Sequence, residues 1–439
     1  MEFPVKYIVL GLAVLMYVLV IAFPAKKTWF PLGGALVLVL LGIISPFHAL
    51  FELVNWNILM IYIGSLVIAE LFIYSRLPAR IADNIVAKTP NAGLAMVAIL
   101  IMTGIISAFV ENVATVLVMA PIALSLTRKL KINPTYFMVG LAVMANLEGT
   151  ATLVGDPPSM IFASYAGYGF NEFFFHEGRI SIFFFVQAGL IAGALFFYYF
   201  FSKSGKEKVL TEKTQVISYF PMILLLLMII GLAASSTISA LGNNTNGEVP
   251  LWTEYVSGSI VMFLAVAGIF WFCFKEKKGS KETFKMIKNL DWETILFLSG
   301  IFIVIGALSE TGILQEFADF LTAVISGNVF AGFVIIIVVS MVLSGFIDNV
   351  PYIIVMLPVA ATLAKNMNLT PELYLFALLI GSCLGGNLTP FGASANIVAM
   401  GILKRENYPM NFSGWLKIGL PFTLITTGTA SLLLWLLYS

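Results

Sequence analysis

The feature that most limits how this chain can fold is a sequence unit that occurs twice, 237 positions apart. Glu111-Asn112-Val113 returns as Asp348-Asn349-Val350, and six of the fifteen residues in 111–125 are identical to their counterparts in 348–362. The correspondence continues through matched prolines and through a Gly, a Thr and a second Gly near position 150. Polar, glycine-rich interruptions at matching places in two apolar halves are typical of a transporter's binding site.

The composition indicates a protein that crosses a membrane several times. Hydrophobic residues make up 60% of the 439 positions and charged residues only 11%, whereas soluble domains carry roughly 25% charged residues. Apolar runs of about 20 residues follow one another, and each is long enough to span a bilayer. The net charge of +1 provides no basic face for nucleic acid, and Cys273 and Cys383 show neither metal-site nor disulfide spacing.

The hydrophobic pattern predicts an all-α polytopic membrane protein with about ten spanning helices. We read the N-terminal segment as the first spanning helix, because it lacks the basic start and small-residue cleavage site of a signal peptide. The predicted spans are 5–24, 29–45, 56–75, 134–165, 180–201, 216–240, 253–274, 291–309, 371–403 and 414–438. Glycine and proline interrupt 134–165 and 371–403, so we expect these two helices to be broken at the membrane midplane.

Two further apolar segments, 91–127 and 329–365, each hold an acid-Asn-Val tripeptide near the centre. A polar turn at half depth predicts a re-entrant hairpin that enters and leaves on one face. Two full spans joined by a tight external turn are the alternative. Each half then crosses the membrane five times, and because five is odd the second copy is inverted relative to the first.

The lysines and arginines predict the orientation. With the N-terminus outside, 21 of the 24 basic residues fall on the inner side and 3 on the outer side, as the positive-inside rule requires. We therefore expect an integral protein of the cell inner or plasma membrane with both termini outside. Amphipathic stretches at 76–88 and 312–325 are predicted to lie along the interface, although either could be an ordinary connecting loop.

The candidate binding groups lie at the helix breaks and at the hairpin tips. Freed backbone carbonyls and hydroxyl groups suit a hard cation such as sodium, and helix N-termini attract anions; in a bilayer both must be buried or line a cavity. The candidate substrate- and ion-binding residues are Glu111, Asn112, Val113, Gly149, Thr150, Thr152, Gly155, Asp156, Asp348, Asn349, Val350, Gly386, Asn387, Thr389, Gly392, Ser394 and Asn396. We expect sodium at Asn112, Asn349 and the broken-helix carbonyls, and no other cofactor.

The acids are the strongest candidates, because a carboxylate at the bilayer centre costs about 2.5–3.5 kcal/mol on insertion scales. Glu111 and Asp348 are predicted to bind a coupling cation or exchange a proton, with Glu148 and Asp156 as second candidates. The structural alternative is that Glu111 and Asp348 cap the second helix of each hairpin and that Asp156 caps the helix after it. No Lys or Arg falls in the predicted core.

These motifs resemble the ion transporter superfamily, in its citrate-transporter-like group. The two acid-Asn-Val tripeptides, GTATLVGDPPS at 149–159 and CLGGNLTPFGASANIV at 383–398 are most similar to the P-protein and arsenite-permease branch. The divalent anion/sodium symporters of the superfamily are more distant, since they have Ser-Asn-Thr at both hairpins. Asn112 and Asn349 carry over as site residues, whereas the acids beside them argue against dicarboxylate transport.

The resemblance implies a static scaffold, a mobile transport part, an elevator-type motion and a homodimer. The scaffold would comprise 1–75 and 216–310. The transport part would comprise 76–215, with hairpin 91–127, broken helix 134–165 and helix 180–201, and 311–439, with hairpin 329–365, broken helix 371–403 and helix 414–438.

Two functions stay open at this point. One is a secondary active carrier of a small anion or oxyanion coupled to sodium or protons, and the other is a sodium/proton antiporter that uses the hairpin carboxylates. Mirrored hairpins favour alternating access over a channel. The HExxH and GxSxG motifs of enzymes are missing, so we expect no catalytic residue.

Overall fold

The structure is a computed structural model that describes residues 3–23, 26–202, 213–242, 255–325 and 327–439. The first half contains α1 Phe3–Ala22, α2 Trp29–Leu40, α3 Pro46–His48, α4 Trp56–Tyr74, α5 Leu77–Lys88, α6 Ala92–Ser107, α7 Asn112–Leu130, α8 Thr135–Gly149, α9 Pro157–Ala166 and α10 Ile182–Phe201. The second half contains α11 Phe220–Gly242, α12 Val256–Phe270, α13 Gly279–Lys288, α14 Trp292–Glu310, α15 Ile313–Ile325, α16 Val329–Ser344, α17 Asn349–Asn366, α18 Glu372–Gly385, α19 Ser394–Arg405 and α20 Phe412–Tyr438.

Several short elements complete the fold, among them 3-10 turns at Asn171–Phe173 and Gly386–Leu388. Turns of π-helix extend α3 over Ala49–Leu53 and α12 over Trp271–Lys275. Between α9 and α10, the two-residue strands β1 Phe175–His176 and β2 Arg179–Ile180 form an antiparallel pair. The domain boundary predicted at 215–216 follows segment 203–212, and the span predicted from 253 begins inside 243–254. Both segments lie outside the described residues.

The predicted all-helical, multi-pass fold is confirmed. Within the described part of the chain, eight helices are long and apolar enough to cross a membrane, and α7 is among them by length and composition. The two broken helices appear as α8 with α9 and α18 with α19. The span predicted at 29–45 is shorter than expected, because α2 ends at Leu40 and the chain turns through Gly42 in the left-handed region before Pro46 starts α3.

Both hairpins are built by the same local rules. Asn91 caps α6 by accepting from the Leu94 amide, and Asn328 caps α16 by accepting from the Ala331 amide, each at about 3 Å. The α6–α7 turn and the α16–α17 turn each occupy four residues, 108–111 and 345–348. These pairs keep the spacing of 237, so the sequence repeat is also a repeat of backbone structure.

The second part of each broken helix packs against the opposite half. Helix α9 packs against α17, and α19 packs against α7 and α8. This exchange joins the two inverted halves around the hairpin tips, because each tip begins a helix that is covered by the other half's broken helix. The freed backbone at both breaks is thereby enclosed by protein, as a bilayer requires.

The helices outside this unit also pair across the repeat. Helix α2 packs against α14 and α4 against α12. A Cβ on Gly64 would lie 2.7 Å from Val261 Cγ1, and one on Gly300 would lie 2.6 Å from the Leu32 nitrogen. Both glycines therefore allow close helix contact. The two amphipathic stretches are helices, α5 and α15, each with one buried face.

Candidate functional site

The hairpin tips bring two carboxylates to the N-termini of α7 and α17. Glu111 Oε2 accepts a hydrogen bond from the Ala114 amide at 2.9 Å. Asp348 Oδ1 accepts from the Val350 amide at 3.2 Å. Both acids therefore cap their helices, as the structural alternative predicted. Each has a second oxygen left over, and both side chains line a cavity between the hairpins.

The side chain of the asparagine beside each acid accepts a hydrogen bond from a serine in the preceding helix. Ser107 Oγ donates to Asn112 Oδ1 at 2.8 Å, and Ser344 Oγ donates to Asn349 Oδ1. The two asparagines are only 4% and 6% exposed. Gly149 is required opposite Asn112, since a Cβ there would lie 2.2 Å from Asn112 Oδ1. The first hairpin tip therefore fits closely against its broken helix.

Two of the predicted threonines connect each broken helix to the turn of its hairpin by a hydrogen bond, and they do not face the cavity. Thr152 Oγ1 donates to the Ala108 carbonyl, and Thr389 Oγ1 donates to the Gly345 carbonyl. The acceptors lie in the two hairpin turns, again 237 positions apart. These hydroxyls satisfy backbone oxygens that would otherwise be orphaned at the end of α6 and α16. Their role in the structure is therefore to join elements.

A buried asparagine that the sequence analysis did not select links the two halves. Asn146 Nδ2 donates to Asn387 Oδ1 and to Asn396 Oδ1, both at 2.8 Å. Asn396 Nδ2 in turn donates to the carbonyls of Gly386 and Thr389, both at 2.9 Å. Asn146 also lines the cavity. Its counterpart at the repeat spacing is a cysteine, so comparison of the two halves gave no signal for it.

The cavity contains part of the predicted site. Its volume is about 40 Å³, and because one water needs about 10–15 Å³ by this measure, it has room for roughly three waters. The predicted residues that line it are Glu111, Asn112, Val113, Asp156, Asp348, Asn349, Val350 and Ser394. The predicted residues that lie outside its lining are Gly149, Thr150, Thr152, Gly155, Gly386, Asn387, Thr389, Gly392 and Asn396.

The charge of the cavity wall differs from the prediction in one respect. Four carboxyl groups line it, from Glu111, Asp156, Asp348 and Asp291. The expectation that no Lys or Arg reaches the core is wrong, because Lys27 also lines the cavity and its Nζ lies 2.5 Å from Asp348 Oδ2. Lys27 belongs to the connection between α1 and α2, and the sequence analysis counted it only among the basic residues on the inner side.

Asp156 does not behave as the cap that was considered for it. It stands at the N-cap position of α9, but its side chain makes no capping hydrogen bond. Instead the carboxyl faces the cavity. Among the residues that the structure describes, no three His, Cys, Asp or Glu side chains are close enough to hold a metal ion together.

The outer helices contribute four further wall residues that sequence reasoning also missed. They are Tyr62 from α4 and Asp291, Thr294 and Phe297 from the start of α14. Asp291 caps α14 by accepting from the Thr294 amide at 3.0 Å, and Tyr62 donates to its other oxygen at 3.2 Å. In the sequence, Asp291 precedes Trp292 as Asn55 precedes Trp56. This match between the two halves was the only sequence feature that could have pointed to Asp291.

Comparison with known proteins gives a consistent family. A family model described as CitMHS, citrate transporter, matches residues 17–381 and 333–439. An uncharacterized transporter of Mycobacterium tuberculosis is 28% identical over 436 residues, which cover 96% of each chain. The P protein of Sus scrofa is 21% identical over 482 residues, which cover 94% of this chain and 57% of that protein.

The fold has a solved counterpart. The crystal structure of the YdaH transporter of Alcanivorax borkumensis, described as having an unusual topology, matches with a TM-score of 0.61 and 12% identity. The match covers 98% of this chain and 97% of that one. This match shows the fold. The family match, which extends over most of the sequence, shows that the chain belongs to the CitMHS citrate transporter family and is an integral membrane transporter and not an enzyme.

Proposed function

We propose that this chain is a secondary active transporter that exchanges a cation such as sodium for protons at its hairpin carboxylates. The observation that carries the proposal is the cavity wall, in which four carboxyl groups face a single ammonium group. Anionic oxygens in a confined, poorly hydrated space attract cations and protons and repel free anions. The small volume of the cavity also suits a monatomic ion.

The proposal includes alternating access of the elevator type. In its support, the hairpins and broken helices interlock across the repeat, so they can move as one unit. The wall residues Tyr62, Asp291 and Lys27 come from the helices and connection assigned to the scaffold. A site shared by a mobile unit and a static one changes its access when the mobile unit slides.

A homodimer in the cell inner or plasma membrane, with both termini outside, is part of the same proposal. It rests on the sequence resemblance and on the distribution of basic residues. Crosslinking in native membranes tests the dimer. Protease access to tags at the two ends, in intact cells and in inverted vesicles, tests the orientation.

The second candidate is a carrier of a small anion or oxyanion coupled to sodium or protons. One observation favours it. Helices α9 and α19 both begin at the cavity, and neither N-terminus receives a side-chain capping hydrogen bond. Two uncapped helix N-termini are suitable partners for an anion that enters with a cation. The citrate transporter description of the family is consistent with an anionic substrate.

Purified protein in liposomes separates the two candidates. A pH-sensitive dye is enclosed, and a sodium gradient is applied with chloride as the only anion. Sodium-driven proton movement supports exchange, whereas proton movement that begins only when citrate or an oxyanion is added supports the anion carrier. Liposomes with Asp348→Asn protein and protein-free liposomes serve as controls for leakage.

A further inference from the structure

Lys27 is attached to the outer helices and reaches into the cavity. It lies between α1 and α2, and its neighbour Thr28 is held against α14, because Thr28 Oγ1 donates to the Glu293 carbonyl at 3.2 Å. The Lys27 ammonium group lies 5.6 Å from the centre of the Phe297 ring, a cation–π distance. These contacts position the ammonium group from the scaffold side.

The partner of Lys27 belongs to the opposite unit, at the tip of the second hairpin. Lys27 Nζ lies 2.5 Å from Asp348 Oδ2, the oxygen that the helix cap leaves over. The two side chains are 21% and 28% exposed, so solvent and small ions can reach the pair. Among the cavity-lining residues, Lys27 is the single basic one.

The two hairpins differ in this respect. Glu111, the counterpart of Asp348, accepts from a backbone amide but has no ion pair among the described residues. The repeat therefore presents one carboxylate to the cavity without a cation and one that is already neutralised. This asymmetry arises from the connection between α1 and α2, and not from the hairpins, whose backbones match.

A second contact joins the scaffold to the second hairpin. Tyr17 in α1 donates from its hydroxyl to the Pro351 carbonyl of α17 at 2.7 Å. Pro351 lies three residues after Asp348, so α1 and the connection after it hold the tip at two points. Hydrogen bonds and ion pairs of this length are lost when their partners separate by about 1 Å, so a sliding hairpin must break both.

We propose that Lys27 is a tethered cation, which occupies Asp348 in the empty carrier and is displaced when the transported cation binds there. The inference rests on the proposed function and adds the residue that links binding to movement. Before binding, the ion pair holds the second hairpin against the scaffold. When a cation or proton takes Asp348, the ammonium group moves into solvent and the tie is released. The unit is then free to move only when it is loaded.

The displacement can be measured on the unaltered protein, without a transport assay. An amine-reactive reagent is applied at one pH in sodium chloride or in choline chloride of equal ionic strength, and labelled lysines are quantified by mass spectrometry. Lys27 labelling should rise several-fold in sodium, while its exposed neighbour Lys26 should be labelled equally in both salts. Equal labelling of Lys27 in the two salts would mean a static structural ion pair and would overturn the inference.

The consequence for coupling is measured with Lys27→Met in liposomes, and Lys26→Met is the matched control. Without its internal competitor, the Lys27→Met protein should show a KM for sodium that is several-fold lower, and it should leak protons when sodium is absent. A Lys27→Met protein that matches Lys26→Met in both respects would contradict the inference. If Lys27→Met does not fold, Lys27→Met/Asp348→Asn removes the unpaired charge, and the labelling experiment still decides.

The two proposals fail in different ways. Unaltered protein that moves no protons in response to sodium would refute the exchange function, whatever the lysine labelling shows. If the unaltered protein exchanges sodium for protons but its Lys27 is labelled equally with and without sodium, the exchange function stands and only the tethered-cation role is refuted.

Discussion

Asn146 in the first half donates a hydrogen bond to Asn387 in the second half, with 2.8 Å between Nδ2 and Oδ1. Both side chains are almost fully buried, at 2% and 0% exposure. A buried amide network of this kind stabilises one arrangement of the two halves, because any shift leaves polar atoms without partners. The inverted halves are thus fastened to each other beside the cavity.

Asn146→Ala should therefore destabilise the protein and stop transport. The substitution leaves the oxygens of Asn387 and Asn396 without their donor, and a buried unsatisfied polar group costs about 1–3 kcal/mol. Thermal unfolding in detergent measures the loss as a lower Tm. Asn289→Ala, at an exposed position at the end of α13, should leave Tm unchanged. Equal Tm values for the two variants would show that the network is not stabilising.

Asp348→Asn should abolish transport while the folded yield stays normal. The amide oxygen of asparagine can still accept from the Val350 amide, so the cap of α17 survives, but the charge that would bind a cation is gone. Transport in liposomes and size-exclusion profiles measure the two effects. Glu282→Gln, an exposed acid on α13, is the control. Normal transport by Asp348→Asn would restrict this acid to a structural role.

The two repeats supply an internal comparison at Gly149 and Gly386. A Cβ on Gly149 would lie 2.2 Å from Asn112 Oδ1, whereas on Gly386 the nearest atom would be 3.0 Å away. Gly149→Ala should therefore displace Asn112, lower stability by about 1–3 kcal/mol and impair transport. Gly386→Ala should have a clearly smaller effect on both.

Gly401→Ala is the control for these two variants, since nothing lies within 4 Å of a Cβ there. It lies inside α19, where Ala is favoured over Gly by up to about 1 kcal/mol. Tm values should therefore rank Gly401→Ala first, Gly386→Ala second and Gly149→Ala last. A ranking with Gly149→Ala above Gly386→Ala would contradict the close approach of Asn112.

His48 should make stability depend on pH. Its ring hydrogen bonds to Glu310 at 2.7 Å and to Glu52 at 2.8 Å, and these bonds raise its pKa above the usual 6.5. A raised folded-state pKa means that the contribution is full below pH 6.5 and is lost as the pH rises through the folded-state value. Tm should therefore fall between pH 5.5 and 8.5 by more in the unaltered protein than in His48→Gln. An identical fall in both would exclude this histidine as the cause.

Local features of the chain were sufficient to predict much of the fold. The hairpins at 91–127 and 329–365 and the broken helices at 134–165 and 371–403 were predicted to within a few residues. Hydrophobic runs, caps, glycines and prolines act over one or two helical turns, so sequence reveals them directly. The end of α2 was harder to predict from sequence. The apolar run continues past Gly42 and Pro46, but these two residues end the helix early.

Which residues line the cavity depends on packing between segments that are far apart in sequence. Thr152 and Thr389 carry suitable groups, but tertiary contacts direct them to the carbonyls of the hairpin turns. Lys27 reaches the cavity from a connection, and Tyr62 and Asp291 reach it from helices, that look ordinary in sequence.

The doubled, apolar sequence is enough to establish a multi-pass helical membrane protein with two acidic hairpins, because hydrophobic length and helix-breaking residues are local properties. Which side chains face one another is settled by the contacts between distant helices. A lysine more than 300 positions away in sequence neutralises Asp348, since the fold brings the end of α1 to the tip of the second hairpin. No local pattern encodes that proximity.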